Sequence, residues 1–298
     1  MAATPYSVVV TTLNNGDTLD RCLGSVADAA EIVVLDSGSD DATLAIARHY
    51  GARVEQRAFQ GYGAQKQAAI DLASHDWVLL LDADEALSPA LSVEIAELMV
   101  RGPQAAGYRL RRREQLFWRW QCRGTRLIEA VRLFDRRRCR MSAEAVHAAI
   151  RCDSPVARLN ADLLHYGETD IHYKVARINA YSSGMVAERL PRNIRWLRLR
   201  MIAYPSFAFF REYVLRRQCL NGWAGFIAAR SSAFYAFLKY AKLYDARQRR
   251  GSDLLDRRRQ HYRSPGEDVA AEADDVELAA AGSSAAERRR DCAEADGG

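Results

Sequence analysis

Residues 77–87 read WVLLLDADEAL, an apolar run that ends on Asp82 and is followed by Asp84 and Glu85. Two carboxylates one residue apart at a strand end suit a hard divalent cation, Mg2+ or Mn2+, held by one or two acids and a substrate diphosphate. The plainer reading is a charged turn that keeps the strand exit soluble. Glu85 reads either as an acid supporting the metal-binding pair from behind or, preferably, as a neighbour of a helix N-cap.

Two further polar turns lie upstream. In LDSGSDDAT, Asp36 closes a second apolar run with no helix starting at it, and Gly38 permits a tight bend. Asp36 is placed to accept from the ring N–H of a base, while Asp40 or Asp41 reads as the cap of the following helix. The stretch QGYGAQK sets two glycines and Lys66 at the head of a helix, where backbone N–H groups attract anions and a lysine adds a point charge for phosphate. It is not a P-loop, and a GxG alone says little.

The elements that must carry these turns alternate over the first hundred residues. Strands YSVVVTT, EIVVLD, ARVEQ and WVLLLD are separated by helices DTLDRCLGSVADA, DATLAIARHYG and GAQKQAAIDLAS. Strands apolar throughout and joined by helices predict an α/β fold, a doubly wound and mostly parallel sheet with helices on both faces. Ligands bind such sheets beyond the carboxyl ends of the strands, which is where the polar turns fall. Residues 103–154 predict short strands, GYRLRRR and AVRLFDRR among them, with VARLN following. From residue 166 the pattern is helical to about 245, and 246–298 reads as a disordered charged tail.

In this order and spacing, SVVVTTLNN, VVLDSGSDDAT, GYGAQKQAAI and WVLLLDADE resemble the inverting GT-A glycosyltransferases of family 2. VRLFDRR, LHYGETDIHYKVARINAYS and GWAGFIAARSSAFYAFLKYAKL extend the resemblance toward the lipopolysaccharide-core branch. It implies a GT-A catalytic domain over residues 1–165 and a C-terminal helical, membrane-associating extension over 166–245. The implied reaction moves a sugar from a nucleotide sugar, a UDP-hexose such as UDP-glucose, to a hydroxyl of a lipid-linked or lipopolysaccharide-core acceptor. Carried over by position, Asp36 reads the base, Asp82 lies near ribose and metal, Asp84 binds the metal, and Thr11 and Asn14 line the nucleotide pocket.

The sequence departs from that branch where a His-Glu pair commonly follows the RLF strand. Here AEAVHAAI puts Ala148 after His147, which leaves Glu144 or His147 as the candidate general base. Gln67 stands where Asn is usual and Glu129 where Asp is usual. Trp118 and Trp120, set among arginines, read either as an acceptor-binding flap or as an edge strand with half-buried rings.

Composition limits the partners. The chain has 298 residues, 49% hydrophobic, with formal charge +5 and arginines crowded into residues 109–140 and 189–217. The basic, aromatic-rich stretch 189–245 reads either as a helix pair packed on the sheet or, preferably, as a peripheral attachment to the inner face of a membrane, with the protein cytoplasmic. No run of 18 uncharged apolar residues predicts a span, and MAATPYSVVVTT lacks the pattern of a signal peptide. Six scattered cysteines without a CxxC pair predict neither a zinc site nor a disulfide framework and fit a reducing compartment. Nucleic acid is not an expected partner, because the basic residues accompany an aliphatic stripe. Two competing readings stand beside the transferase: a haloacid-dehalogenase-like phosphatase, which also carries a DxD, and a non-catalytic nucleotide-binding scaffold at the membrane.

Overall fold

The computed structural model describes residues 3–142, 149–167, 170–191 and 194–250. Strands β1 (Tyr6–Thr12), β2 (Glu31–Asp36), β3 (Arg53–Gln56) and β4 (Trp77–Asp82) pair in parallel in the order β3-β2-β1-β4. Helices α1 (Gly16–Gly24), α2 (Thr43–His49) and α3 (Tyr62–Asp71) make the crossovers. Strands β1, β2 and β4 match their predicted positions because each is apolar on both faces, whereas β3 is an exposed edge strand with the sequence RVEQ. Val8, Val10 and Leu81 face one core with Leu19 and Leu23 of α1, while Val9, Val33 and Leu80 face a second core with Ala69 and Ile70 of α3.

Beyond β4 the sheet turns mixed. After the short β5 (Glu85–Leu87) and α4 (Pro89–Arg101) come β6 (Gly107–Leu116), β7 (Arg119–Trp120), β8 (Ile128–Asp135), β9 (Cys139–Met141), β10 (Ile150–Cys152) and β11 (Val156–His165). The order continues β4-β8-β6-β11-β5, with β8 antiparallel to both β4 and β6, β11 parallel to β6, and β5 antiparallel to β11. Ser88 starts α4, its hydroxyl accepting from the Leu91 N–H, and Pro89 takes the first turn, where a missing N–H costs nothing. Strand β11 runs five residues past the predicted VARLN, and that extension carries His165 to the same end of the sheet as Asp82.

One expectation about the cysteines is corrected. Cys139 and Cys152 form a disulfide across the β9–β10 pair, with Cα atoms 4.0 Å apart. Their separation of 13 residues carries no sequence signal, since only the register of the two strands sets them opposite each other. Gln67, noted as unusual, ties α3 to β9 by accepting the Met141 N–H and donating to Asp71.

The chain divides into two compact units. Among the described residues the first comprises those up to Tyr173 together with 212–228 and contains the sheet; the second comprises those within 174–211 and 229–250. The second holds α5 (Ile171–Arg189), α6 (Leu197–Phe210) and the later part of α7 (Gly222–Arg250), with α6 and α7 sharing a small core of Leu197, Tyr240 and Leu243. Lys242 donates to the Asn179 carbonyl and to Ser183 on α5. Helix α7 reaches Arg250, so residues 246–250, expected to begin the tail, are helical. No helix among the described residues is long and apolar enough to cross a membrane.

Candidate active site at the strand ends

The carboxyl ends of β1, β2 and β4 bring together the polar turns singled out in the sequence. Register sets Thr11 beside Asp82 on one side and Leu35 on the other, with Thr12 opposite Asp36. Asn14 fastens the loop after β1 to the loop after β2: its N–H donates to the Ser39 hydroxyl at 2.8 Å, and its side-chain oxygen accepts the Asp40 N–H at 3.1 Å. Asp41 accepts from the Thr43 N–H at the start of α2 and from the Gly16 N–H at the start of α1, a capping role as expected.

Asp36 is fully buried. One of its oxygens accepts the N–H groups of Gly38 and Ser39, both at 2.9 Å, and the other accepts the Ser39 hydroxyl. Gly38 holds φ near 109°, a conformation favouring glycine, which allows the chain to fold back over the carboxylate. Burial works to raise the Asp36 pKa, but the bonds from Ser39 and Gly38 prevail and hold it below the ordinary value. It is an ionised acceptor in a fixed orientation.

At the end of β4 a charge network replaces the simple DxD. Asp82 pairs through Oδ1 with Lys66 of α3 and through Oδ2 with Arg132 of β8 at 2.8 Å. Arg132 also binds Glu85 at 2.6 Å, and Glu85 in turn accepts the Asp82 backbone N–H at 3.0 Å. Arg112 on β6 lies 3.6 Å from Glu85 and 2.8 Å from Glu114. Glu114 bonds Nδ1 of His165, whose Nε2 lies 3.2 Å from Asp84. Four carboxylates thus alternate with Lys66, Arg112, Arg132 and His165 along one chain of contacts.

Each titration follows from those neighbours. Burial opposes ionisation of Asp82, but the charges of Arg132 and Lys66 outweigh it and hold the carboxyl far below its usual range. Asp84 is held down against burial by the bond and charge of His165. Glu85, wholly buried, is pushed upward by desolvation and by Asp82, against Arg132. For His165 burial favours the neutral ring, yet bonds to Asp84 and Glu114 raise its pKa to about 9. Behind the site the buried Cys22 thiol lies 3.7 Å from the Asp82 carbonyl, and burial together with Glu85, Asp84 and Asp82 keeps it protonated.

Two sequence readings change here. Of the two readings of Glu85 the structure favours the supporting acid over the preferred helix-cap neighbour: it belongs to β5 and anchors Arg132, because a carboxylate without solvent access requires a cation. Lys66, expected to stand ready for phosphate, is already paired with Asp82. The sequence reading missed Glu114, Arg112, Arg132 and His165. Only LHYGETD, quoted for the resemblance, drew attention near His165.

Of the two tryptophans, Trp120 on β7 reaches the site. Its ring meets the edge of Tyr166, 5.0 Å between centroids, and the Tyr166 N–H donates to the Asp84 carbonyl at 2.8 Å. Trp118 packs against Phe117 and is 66% exposed. Glu144 and His147 lie outside the described residues.

The residues at the strand ends fit a divalent cation held mainly by substrate. Asp84 keeps Oδ1 outside its contact with His165, and the imidazole beside it is a second donor once deprotonated. Both oxygens of Asp82 are engaged by Lys66 and Arg132. Among the described residues no group of three or more His, Cys, Asp or Glu forms a cage. A cation that keeps water and phosphate ligands requires only one or two protein groups.

Comparison with known proteins agrees with this architecture. The lipopolysaccharide core biosynthesis glycosyltransferase LpsC of Rhizobium meliloti is 31% identical over 248 residues, covering 80% of this chain and 92% of that protein. An uncharacterized glycosyltransferase of Rickettsia bellii is 28% identical, covering 80% and 85%. Glucosyl-3-phosphoglycerate synthase from Mycobacterium tuberculosis, solved with Mn2+ and UDP, matches 38% of this chain and 44% of its own at 24% identity, with a TM-score of 0.32. So loose a structural match says nothing about ligands. The description Glycosyl transferase family 2 fits residues 7–158, and with the LpsC similarity it shows that the chain belongs to that family.

Proposed function

We propose that the protein is a metal-dependent inverting glycosyltransferase that moves a hexose from a UDP-sugar such as UDP-glucose to a hydroxyl of a lipid-linked or lipopolysaccharide-core acceptor. The observation that carries this reading is the convergence of Asp36, Lys66, Asp82 and Asp84 at the ends of adjacent strands, with His165 beside Asp84.

In this reading Asp36, ionised and immobile, accepts from the ring N–H of uracil, with Thr11 and Asn14 at the neighbouring strand end. Lys66, held by Asp82, adds positive charge near the diphosphate. Asp84 and His165 hold Mg2+ or Mn2+, whose chemistry there is to stabilise charge on the leaving diphosphate. Trp120, with Tyr166, offers ring faces to the acceptor sugar, and Trp118 stands further out on the same flap. Glu144 or His147 removes the acceptor's proton as the hydroxyl attacks the anomeric carbon from the side opposite the nucleotide.

The phosphatase alternative requires a nucleophilic carboxylate, and Asp82 has both oxygens committed to cations. The scaffold alternative keeps one support, Ala148 where the branch commonly has a carboxylate.

Placement at the inner face of a membrane is part of the same reading. Leu199, Ile202, Phe207 and Phe210 lie on one side of α6 by their spacing and are all about half exposed or more, with Trp196 at its head. Arg198 and Arg200 flank that stripe. Residues 189–217 hold eight arginines and one acid, the buried Glu212. An apolar stripe bordered by arginines suits an anionic lipid leaflet.

Transfer of labelled glucose from UDP-glucose to a purified core oligosaccharide, with the linkage read by NMR, tests the reaction. A new glycoside of inverted configuration is expected. UDP-sugar binding without transfer to any core acceptor would favour the scaffold, and phosphate release from an aryl phosphate would refute the transferase.

A further inference from the structure

Three arginines converge on one carboxylate a short way along β6 and β11 from the cation site. Asp162, 1% exposed, lies opposite Arg111 in the β6–β11 register. Its Oδ1 accepts from Nε and Nη2 of Arg111 at 3.1 and 2.9 Å, and its Oδ2 accepts from Nε of Arg123 at 2.8 Å. Nη1 of Arg113 lies 3.9 Å from the same Oδ2, while its Nε donates to the Gln121 carbonyl at 2.7 Å. Arg111 also donates to the Asn160 carbonyl at 2.7 Å.

Neutralising a buried aspartate takes one guanidinium, so three leave an excess of two positive charges. Glu129, opposite Arg111 on β8, does not supply the balance, because it pairs with Arg158 at 2.9 Å. A guanidinium carries five N–H donors, and most of those on Arg113 and Arg123 are unspent in these contacts. The three side chains remain open to solvent, Arg123 most of all at 62%. Asp162 therefore holds a fixed fork of donors in place while leaving their outer N–H groups accessible.

The same face of the sheet carries the aromatic pair. Trp120 sits opposite Gln115, two residues along β6 from Arg113, so both project to the side that bears Arg111 and Asp162. Four residues separate Asp162 from Tyr166, about 13 Å along an extended chain. Rings that suit sugar faces and arginines that suit oxyanions thus share one face of β6 and β11, opposite the face of Arg112, Glu114 and His165, and that face meets the cation site at the strand end, where Tyr166 touches Trp120 and bonds the Asp84 carbonyl.

We propose that Arg111, Arg113 and Arg123, gathered by Asp162, form a subsite for an anionic group carried by the acceptor, either a phosphate monoester or a sugar carboxylate. The identity of the ligand as acceptor rests on the glycosyltransferase reading; the anion site itself does not.

The test uses the full chain and three probes, glucose 6-phosphate, glucuronate and glucose, titrated by calorimetry at constant ionic strength, with UDP as a separate ligand. One or both anions are expected to bind at least about ten-fold more tightly than glucose, and Arg123→Gln and Arg113→Gln each to weaken that binding about ten-fold or more. UDP affinity and the thermal midpoint of Arg123→Gln should not change. Preference for glucose 6-phosphate identifies a phosphate monoester, and preference for glucuronate identifies a uronic acid. Anions that bind no better than glucose, or that bind Arg123→Gln as tightly as the native chain, overturn the subsite. Arginine-dependent anion binding in a protein that fails to bind UDP would sink the nucleotide reading and leave the subsite standing.

Discussion

Replacing His165 by Gln removes the imidazole that joins Asp84 to Glu114 in the charge network. The imidazole is held between Asp84 and Glu114 with its side chain only 12% exposed, so solvent screens these contacts little. Its pKa rises from 6.5 to about 9 because the two carboxylates outweigh burial. A group whose folded pKa is raised stabilises the fold fully below its unfolded value, and the contribution is lost as pH climbs through the folded value. With those two pKa values linkage gives about 3 kcal/mol at pH 6 and only a few tenths at pH 9.5. For a domain of this size that is roughly 6–12 °C in Tm at the lower pH. The assay is thermal unfolding of native and His165→Gln proteins at pH 6 and pH 9.5, in chelator so that no metal competes for the ring. The gap between the two proteins should shrink strongly at the higher pH. An equal gap at both values would mean that the ring is packed neutral and that the network lacks the charge assigned to it.

Three more outcomes follow from the same contacts. Arg132→Met leaves Glu85 and Asp82 without their shared cation and should cost about 3–5 kcal/mol, read by urea unfolding; a loss below 1 kcal/mol would show that Lys66 and Arg112 suffice. Reducing the Cys139–Cys152 bridge frees a loop of about 13 residues and should cost about 3 kcal/mol, checked by Tm with and without reductant. On α6, Ile202→Glu should abolish sedimentation with vesicles containing anionic lipid while leaving Tm unchanged, because Ile202 is 72% exposed; undiminished sedimentation would remove α6 from the membrane account.

The sequence was most informative where chemistry and periodicity coincide. Strands β1, β2 and β4 are apolar on both faces, so their ends were visible, and with them Asp36, Asp82 and Asp84. The mixed half was harder to read. Strand β8 inserts antiparallel between β4 and β6, and nothing in VRLFDRR announces that pairing. Arg132 and Glu85 are 47 residues apart, and His165 and Glu114 are 51, so their contacts exist only once four strands have assembled. Ion pairs at such separation leave no local pattern. The two readings of Glu85 could not be separated locally because an acid after a strand looks like a turn residue, and its burial depends on α4 and β11 closing over β5. The arginine crowding at residues 109–140 was visible, but its division between Arg112 and Arg132 in the charge network and Arg111, Arg113 and Arg123 around Asp162 follows from strand alternation and register.

Calorimetric titration of UDP-glucose into the native chain and into Asp84→Ala, each with and without Mn2+, tests the central claim most directly. The account predicts saturable binding to the native protein that requires Mn2+ and a loss of that metal dependence in Asp84→Ala. Equal binding by both proteins, with or without Mn2+, would contradict it.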